Sequence, residues 1–373
     1  MTRRPLLLAI WLMLPAAGLG GDWPQWRGPF GNGSAEETNL PESCDPARAA
    51  WTTALPGPGH STPVVAGGRL FLTAIDRAGG GVVGLCLDPD DGRILWRHRL
   101  GDDAKAPQNN GATPSPVTDG RTVWFLTGAG DLAALGMDGK PRWTRHLPKD
   151  YGNLATKFGY SSSPLLWRDT LFVQLVRRDR PYRGETGADG PLPPLLLALD
   201  PATGAEKWRH VRKSDAVDES REAYTTPVPF EGDGRAELLV LGGDFVSGHD
   251  PASGAEFWRC EYNPERREIW RVVPSPVVAG NLIVAGLPRG QKVLAFRPGA
   301  NGSVHMNDAA WTYDERTSDS GTPLFYQNRL YILQSDRTDP WNRGSKSSPG
   351  IFLLVVDPAT GKELGRCQID KGG

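Results

Sequence analysis

The sequence contains little cysteine or histidine, and neither is spaced as metal ligands usually are. Its four cysteines, Cys44, Cys86, Cys260 and Cys367, are far apart and form no C-x-x-C pair. Its six histidines form no H-x-x-x-H arrangement. We therefore expect no metal site. Two interpretations of the cysteines stay open: separate thiols in or near strands, or disulfides, which an exported protein can form.

The sequence also lacks an excess of charge of one sign and a long apolar run. A net charge of −1 predicts no nucleic-acid partner. The apolar run at residues 6–14 is shorter than the roughly 20 residues that a membrane-spanning helix needs. It follows Arg3 and Arg4 and precedes small residues, which is the order of a signal peptide. We expect residues 1–20 to be cleaved, leaving no membrane anchor, and the protein to be periplasmic or secreted.

Turn-forming residues are abundant. The chain has 46 glycines and 33 prolines in 373 residues, together with 13 tryptophans. Helical periodicity is absent from these glycine- and proline-rich stretches. The composition therefore predicts short strands joined by tight turns.

An internal repeat organises the chain, and each copy opens with Ser/Thr-Pro before an apolar strand. The six openings are Thr62-Pro63, Ser115-Pro116, Ser163-Pro164, Thr226-Pro227, Ser275-Pro276 and Thr322-Pro323. Each unit has room for four short strands, which is one blade of a β-propeller. The predicted fold is therefore all-β, a propeller of four-stranded blades with six units visible.

Later in each unit, an Asp-Pro turn with a glycine is followed by a tryptophan. We expect aspartate to accept hydrogen bonds within the turn and glycine to adopt a positive φ. The blade-turn residues are Asp88, Gly92, Asp200, Gly204, Asp250, Gly254, Asp357 and Gly361. The tryptophans are expected to fill the gaps between blades and to bury ~200 Å² each. These docking residues are Trp51, Trp96, Trp143, Trp208, Trp258 and Trp311, and Gly365 stands where the last copy should have one.

The spacing A-x-D-x-x-x-G-x-x-x-W, as at residues 198–208, resembles the tryptophan-docking motif of the PQQ-type (pyrroloquinoline quinone) repeat propellers. The start at residues 22–29 is similar to that of exported bacterial PQQ-like proteins of the planctomycete type. The superfamily contains quinoprotein dehydrogenases and a non-catalytic outer-membrane assembly factor. Its members usually have seven or eight blades.

The blade number leaves two expectations open. Trp51 matches the outer strand of a blade, yet no earlier unit precedes it. Either the ring is truncated at its carboxyl end, or six blades close with Trp51 in an added edge strand. We divide the chain into a signal peptide (1–20), an amino-terminal extension (21–50) and a single propeller domain (51–373) that is incomplete in the first case.

The resemblance implies two functions. Quinoprotein dehydrogenases hold PQQ and calcium, and an adjacent Cys-Cys pair lies over the quinone; this sequence has no such pair. We therefore expect no cofactor, no catalytic residues and a non-catalytic binding or scaffolding role in the cell envelope, as a monomer. The alternative is a PQQ- and calcium-binding oxidoreductase. A protein or peptide partner is expected on a propeller face formed by the loops at residues 108–111, 157–160, 220–224, 270–273 and 317–320.

Overall fold

A computed structural model describes residues 21–38, 40–104, 106, 108–154, 156–180, 192–232, 234–335 and 350–370. The predicted signal peptide, residues 1–20, lies outside this range. The described chain forms six sheets, each containing one blade of four antiparallel strands as the repeat predicts, and the fourth sheet has an additional parallel strand. The all-β propeller prediction is confirmed.

The strands are numbered along the chain. The first two sheets contain β1 (Val64–Ala66), β2 (Arg69–Ile75), β3 (Val82–Leu87), β4 (Ile94–Gly101), β5 (Val117–Thr118), β6 (Thr122–Leu126), β7 (Asp131–Gly136) and β8 (Pro141–His146). The third and fourth contain β9 (Leu165–Trp167), β10 (Thr170–Leu175), β11 (Leu195–Leu199), β12 (Glu206–Val211), β13 (Val228–Gly232), β14 (Arg235–Gly242), β15 (Phe245–His249) and β16 (Glu256–Glu261).

The fifth and sixth sheets contain β17 (Val277–Ala279), β18 (Leu282–Gly286), β19 (Val293–Phe296), β21 (Trp311–Tyr313), β22 (Leu324–Tyr326), β23 (Arg329–Ser335), β24 (Ile351–Val356) and β25 (Glu363–Asp370). A further strand, β20 (Gly302–Val304), lies in the insertion before Trp311 and pairs in parallel with β16 of the fourth sheet. The helices are short: α1 (Leu147–Tyr151) and 3-10 turns at Pro46–Arg48, Asp218–Arg221, Pro288–Gly290 and Met306–Asp308. None among the described residues is long and apolar enough to cross a membrane.

Hydrogen bonds between the Ser/Thr-Pro openings link consecutive blades. The backbone N–H of each opening residue donates to the hydroxyl of the next blade's opening residue. The donor–acceptor pairs are Thr62–Ser115 (2.9 Å), Ser115–Ser163 (3.0 Å), Ser163–Thr226 (3.1 Å), Thr226–Ser275 (2.9 Å) and Ser275–Thr322 (3.1 Å). The repeat therefore needs a hydroxyl at this position, because the hydroxyl satisfies a backbone donor of the preceding blade.

The amino-terminal extension contacts the first and last blades. Trp23 forms an antiparallel bridge with Val65 of β1. The Arg27 guanidinium donates to the carbonyl oxygens of Thr322 and Pro323 beside β22. Burial lowers the pKa of Arg27 to about 10. This segment thus connects the two ends of the hydroxyl series.

The apolar core is divided into clusters between neighbouring sheets. One cluster joins the second and third sheets around Leu126 and Leu171, and another joins the fifth and sixth around Val284 and Ile332. Each sheet therefore contributes buried side chains on its faces toward the neighbouring blades. All four cysteines are free thiols, Cys86 and Cys260 buried and Cys44 and Cys367 exposed, so the disulfide interpretation does not hold in this structure.

Residues 51–60 cover the outer face of the first sheet. The amide of Ile75 donates to the carbonyl of Pro58 at 2.8 Å, and Thr53 Oγ1 donates to the carbonyl of Gly92 at 2.6 Å. Residues 51–55 form no strand of the described chain, so the alternative that places Trp51 in an added edge strand is wrong. On the sixth sheet, Leu364 and Ile369 are 48% and 58% exposed.

Candidate functional site

The loops that the sequence singled out meet on one face of the propeller. This loop face consists of the described parts of the connections from the last strand of each blade to the first strand of the next, together with residues 176–180 and the β18–β19 loop. Neighbouring connections are hydrogen-bonded: Asn109 Nδ2 donates to the carbonyl of Phe158 at 2.8 Å. Further round, the Lys157 amide donates to Glu222 Oε2 at 2.9 Å.

Glu219 lies at the centre of an ion-pair network on the loop face. Its side chain is 3% exposed and accepts hydrogen bonds from Lys157 Nζ at 2.9 Å and Arg289 Nη2 at 3.0 Å. Arg271 Nε is 3.4 Å from the same carboxylate. Arg271 Nη2 also pairs with Asp319 at 2.8 Å, so this network joins four blade-to-blade connections. A buried carboxylate needs such partners to remain ionised.

Glu222 forms the second buried acidic position. Its side chain is fully buried and accepts hydrogen bonds from the Tyr224 hydroxyl and from Arg178 Nε. Burial raises the pKa of Glu222, while its hydrogen bonds and the Arg178 charge oppose that increase. Burial also raises the pKa of Tyr224, which therefore stays protonated and donates to the carboxylate.

Aromatic rings complete this part of the loop face. The rings of Phe158 and Tyr224 are 6.1 Å apart and tilted. Lys157 Nζ lies 5.3 Å and the Arg271 guanidinium 5.5 Å from the Phe158 ring centroid, both within the range of a cation–π interaction. The cations that pair with Glu219 therefore also pack on an aromatic surface, which limits their freedom.

A cavity of about 220 Å³ opens on the same face between the fourth and fifth blades. Tyr262, Leu287, Trp270 and Met306 contribute its apolar walls. Its polar lining residues are Asn263, Glu265, Arg267, Gln291 and Lys292. Ligand sites usually have 300–1,000 Å³. This cavity therefore has room for about one side chain of a partner.

Asp244 lies behind the cavity wall and is fully buried. Its Oδ1 accepts a hydrogen bond from Asn263 Nδ2 at 3.0 Å, but its Oδ2 has no hydrogen-bond partner. Burial raises the pKa of Asp244 to about 7, against the lowering effect of Asn263. The carboxyl group therefore exchanges its proton near neutral pH.

Most of the repeat tryptophans contact the turn of the following blade. The indole Nε1–H donates to the second residue of that turn in five places. These pairs are Trp51–Pro89 (2.8 Å), Trp96–Met137 (2.9 Å), Trp143–Pro201 (2.9 Å), Trp208–Pro251 (3.2 Å) and Trp311–Pro358 (2.8 Å). The rings also lie against the turn glycines, so each tryptophan fits its neighbour through both polar and apolar contacts.

The turn residues have a common geometry. The aspartate Oδ1 accepts a hydrogen bond from the amide two residues later, at 2.8 Å in the Asp200 turn. The same bond is present at Asp88, Asp250 and Asp357. The glycines at Gly92, Gly204, Gly254 and Gly361 have φ between 72° and 75°. A larger residue at these positions would be strained and would also displace the tryptophan.

Trp258 departs from the pattern. Its indole donates to Glu237 Oε2 of its own sheet at 2.6 Å, and its ring packs on Phe296 of the next sheet. The fifth blade has the β20 insertion where the other blades have a tight turn, so Trp258 has no turn carbonyl to bind. Arg235 pairs with Glu237 at 2.7 Å and balances the buried charge.

Sequence reasoning missed a group of potential metal ligands. His210, His249 and Glu256 come from two neighbouring sheets, and their ligand atoms lie within 4.8 Å of one another. Short-range spacing gives no signal for such a group, because His210 and His249 are 39 residues apart in the chain. Only blade-to-blade packing brings them together.

Four-stranded blades joined through Ser/Thr-Pro openings, with tryptophans against the turns of the next blade, define a propeller of the PQQ-like repeat class. The chain belongs to the family described as "Outer membrane protein assembly factor BamB", whose model matches residues 44–174 and 164–345. No curated protein matches the chain.

Solved structures with the same fold include both an assembly factor and dehydrogenases. BamB from Moraxella catarrhalis has a TM-score of 0.55 and 16% identity, over 87% of this chain and 78% of that one. The quinohemoprotein alcohol dehydrogenase from Comamonas testosteroni has a TM-score of 0.51 and 11% identity, over 93% of this chain and 73% of that one. A europium-containing methanol dehydrogenase has a TM-score of 0.55 and 11% identity, over 84% of this chain and 72% of that one. These likenesses show the fold alone, and the site must indicate the function.

Proposed function

We propose that this chain is a non-catalytic binding protein that holds an extended peptide on its loop face. One apolar side chain of the peptide occupies the cavity at Trp270. The observation that carries this proposal is the pairing of Glu219 and Glu222 with cations and with Tyr224. Carboxylates held in this way build a rigid surface, whereas a catalytic base needs a carboxylate that is free to accept a proton from its substrate.

The cavity indicates the chemistry of the peptide. Its volume of about 220 Å³ and its walls of Tyr262, Trp270 and Met306 suit a single apolar or aromatic side chain. The cations of its lining are already paired, Arg267 with Glu265 at 2.7 Å and Lys292 with Asp314 at 2.8 Å. We therefore propose that the site selects its peptide through the apolar side chain and not through a charge.

The alternative function, a quinoprotein oxidoreductase, requires a site for PQQ and calcium. Calcium takes six to eight oxygen ligands. On the loop face, the carboxylates of Glu219 and Glu222 are surrounded by Lys157, Arg178, Arg271 and Arg289, whose positive charges oppose a bound cation. The described residues of this face do not fit a calcium-held quinone.

We further propose scaffolding in the cell envelope, by similarity to the assembly-factor family and from the order of basic, apolar and small residues at positions 1–20. In a bacterial host, the full chain should be recovered from the periplasm with a new amino terminus near residue 21. Recovery of the uncleaved chain from the cytoplasm alone would contradict export.

The binding proposal is tested by selecting a random peptide library on the purified protein. We expect the selected peptides to share an apolar or aromatic residue, and we expect Trp270→Ala to bind them at least tenfold more weakly. The matched control is Ile269→Ala, which removes the exposed neighbouring side chain outside the cavity lining and should bind as the parent does. Equal binding by Trp270→Ala would contradict the proposed site. Quinone absorbance retained after desalting from PQQ and Ca²⁺ would favour the oxidoreductase.

A further inference from the structure

Two imidazoles and a carboxylate meet at the junction of the third and fourth blades. His210 is on β12, while His249 ends β15 and Glu256 begins β16, where the two are cross-strand partners. His249 is fully buried, and its ring centroid is 5.0 Å from that of His210. His249 and Glu256 lie at the end of the fourth sheet beside the Asp250 turn, opposite to Phe245 and Glu261.

The hydrogen bonds of His249 assign its tautomer. Its Nδ1 is 3.2 Å from the carbonyl oxygen of Gly254, which can only accept, so Nδ1 carries the proton. Nε2 therefore has a lone pair, and it faces the Ser247 hydroxyl at 2.9 Å. Backbone carbonyls orient metal-binding histidines in this way. Ser247 has a second acceptor, the carbonyl of Val240 at 3.4 Å, and need not lose its hydrogen bond when Nε2 takes another ligand.

The distances are slightly longer than those of a closed site. Bonds of about 2.1 Å in a tetrahedral zinc site place two ligand atoms about 3.4 Å apart. His249 Nε2 and Glu256 Oε2 are 4.0 Å apart, and the full group spans 4.8 Å. The half-exposed His210 must therefore move by about 1.5 Å, and the other two ligands by less, to complete a three-ligand site.

We propose that His210, His249 and Glu256 bind a divalent transition-metal ion, with zinc as the representative, and that the ion joins the third blade to the fourth. Two imidazoles with one carboxylate suit zinc, copper and nickel, whereas calcium and magnesium prefer oxygen ligands alone. Solvent supplies the fourth ligand on the half-exposed side of His210.

Two nearby cations set a limit on the affinity. Arg259 pairs with both oxygens of Glu256, at 2.7 Å for Nη2–Oε2, and the buried Arg212 donates to Ser247 Oγ. Their positive charges oppose a bound dication and so lower the affinity for zinc. Binding remains possible, because a Glu256 oxygen that accepts from Arg259 still has a second lone pair for the ion. Zinc should therefore be exchangeable and removable by a chelator.

The test uses the full untagged chain after chelator treatment. Isothermal titration should give one Zn²⁺ per chain in the presence of excess Ca²⁺ and Mg²⁺, and Co²⁺ should give the visible absorption of a four-coordinate site. His210→Ala and Glu256→Gln should each weaken zinc binding at least tenfold. Saturating zinc should raise the Tm of the parent and not that of His210→Ala.

The matched control is His98→Ala. His98 follows Trp96 by two residues on β4, as His210 follows Trp208 on β12, but the corresponding positions of the next sheet hold Leu135 and Pro141. This variant should bind zinc as the parent does. An equal loss in His98→Ala and His210→Ala, or no zinc binding by a folded parent chain, would overturn the proposal. Peptide binding is scored separately, because none of the three residues lines the cavity at Trp270.

Discussion

The indole of Trp51 donates to the carbonyl oxygen of Pro89 at 2.8 Å, although Trp51 belongs to no strand. Trp311, which begins a strand, makes the same bond to Pro358 at the same distance. The contact between indole and turn is therefore independent of the strand that carries the tryptophan. The same bond recurs at Trp96, Trp143 and Trp208, so it is the repeated contact between blades of the propeller.

The joint can be tested at Trp208. Trp208→Ala removes both the ring from between two blades and the bond to Pro251, and should lower the free energy of unfolding by about 3 kcal/mol. Trp208→Phe keeps most of the apolar area and should lose about 1 kcal/mol. Chemical denaturation measures both changes. Equal losses in the two variants would show that the ring contributes little.

The fit between the turn glycines and the indoles can be tested by comparing alanine substitutions at Gly204 and at Gly280. Gly204 has φ +73°, and a Cβ there would lie 2.7 Å from the ring of Trp143. Gly280 has φ +63° and nothing within 4 Å of an added Cβ. Gly280→Ala should cost about 1 kcal/mol for the backbone alone, and Gly204→Ala roughly 2 kcal/mol more. Similar Tm changes would argue against a close fit between the turn and the indole.

The hydroxyl series predicts which residues can replace Ser163. Ser163→Ala leaves the buried amide of Ser115 without its acceptor and should cost about 1–3 kcal/mol. Ser163→Thr should retain nearly full stability, because threonine occupies this position in three of the six blades. Thermal unfolding of both variants gives the comparison. Destabilisation by threonine as large as that by alanine would mean that volume, and not the hydroxyl, is what the position requires.

Arg27 should hold the amino-terminal segment against the sixth blade. Arg27→Ala leaves the carbonyl oxygens of Thr322 and Pro323 without their donor and should cost about 2 kcal/mol. The amides of Trp23 and Val65 each donate to the other residue's carbonyl oxygen. Hydrogen exchange at both amides should therefore accelerate. Arg69 is half-buried and its Nη1 donates to the carbonyl of the adjacent Gly68. Arg69→Ala is the control and should leave both amides protected.

Asp244 predicts a pH-dependent stability. Its pKa is raised from 3.8 to about 7 on folding, so the folded state favours the protonated form. The contribution of this group is greatest below pH 4 and is lost as the pH rises through 7, at up to about 1.4 kcal/mol per pH unit. The stability difference between Asp244→Asn and the parent should therefore favour the variant more at pH 8 than at pH 4. Denaturation curves at both pH values measure the difference, and parallel pH profiles would contradict the prediction.

The repeat was predictable because its signals are local. Ser/Thr-Pro openings, Asp-Pro turns and tryptophans recur along the chain, and short-range backbone preferences determine where strands begin and turns occur. Trp258 shows where this reasoning ends. Its sequence motif matches the others, but its hydrogen-bond partner is Glu237, because the next blade has an insertion at the turn.

By itself, the sequence determined the class of fold, the position of the blades and the residue types at their joints, since these depend on neighbours within a few residues. The tertiary structure decided which distant groups meet. In the folded chain, Arg27 lies beside Thr322 and His210 lies beside His249. The ion-pair network on the loop face contains Lys157, Glu219, Arg271 and Asp319. These contacts depend on how neighbouring sheets pack around the propeller axis. Local sequence patterns do not indicate that packing, because the residues in contact are far apart in the chain.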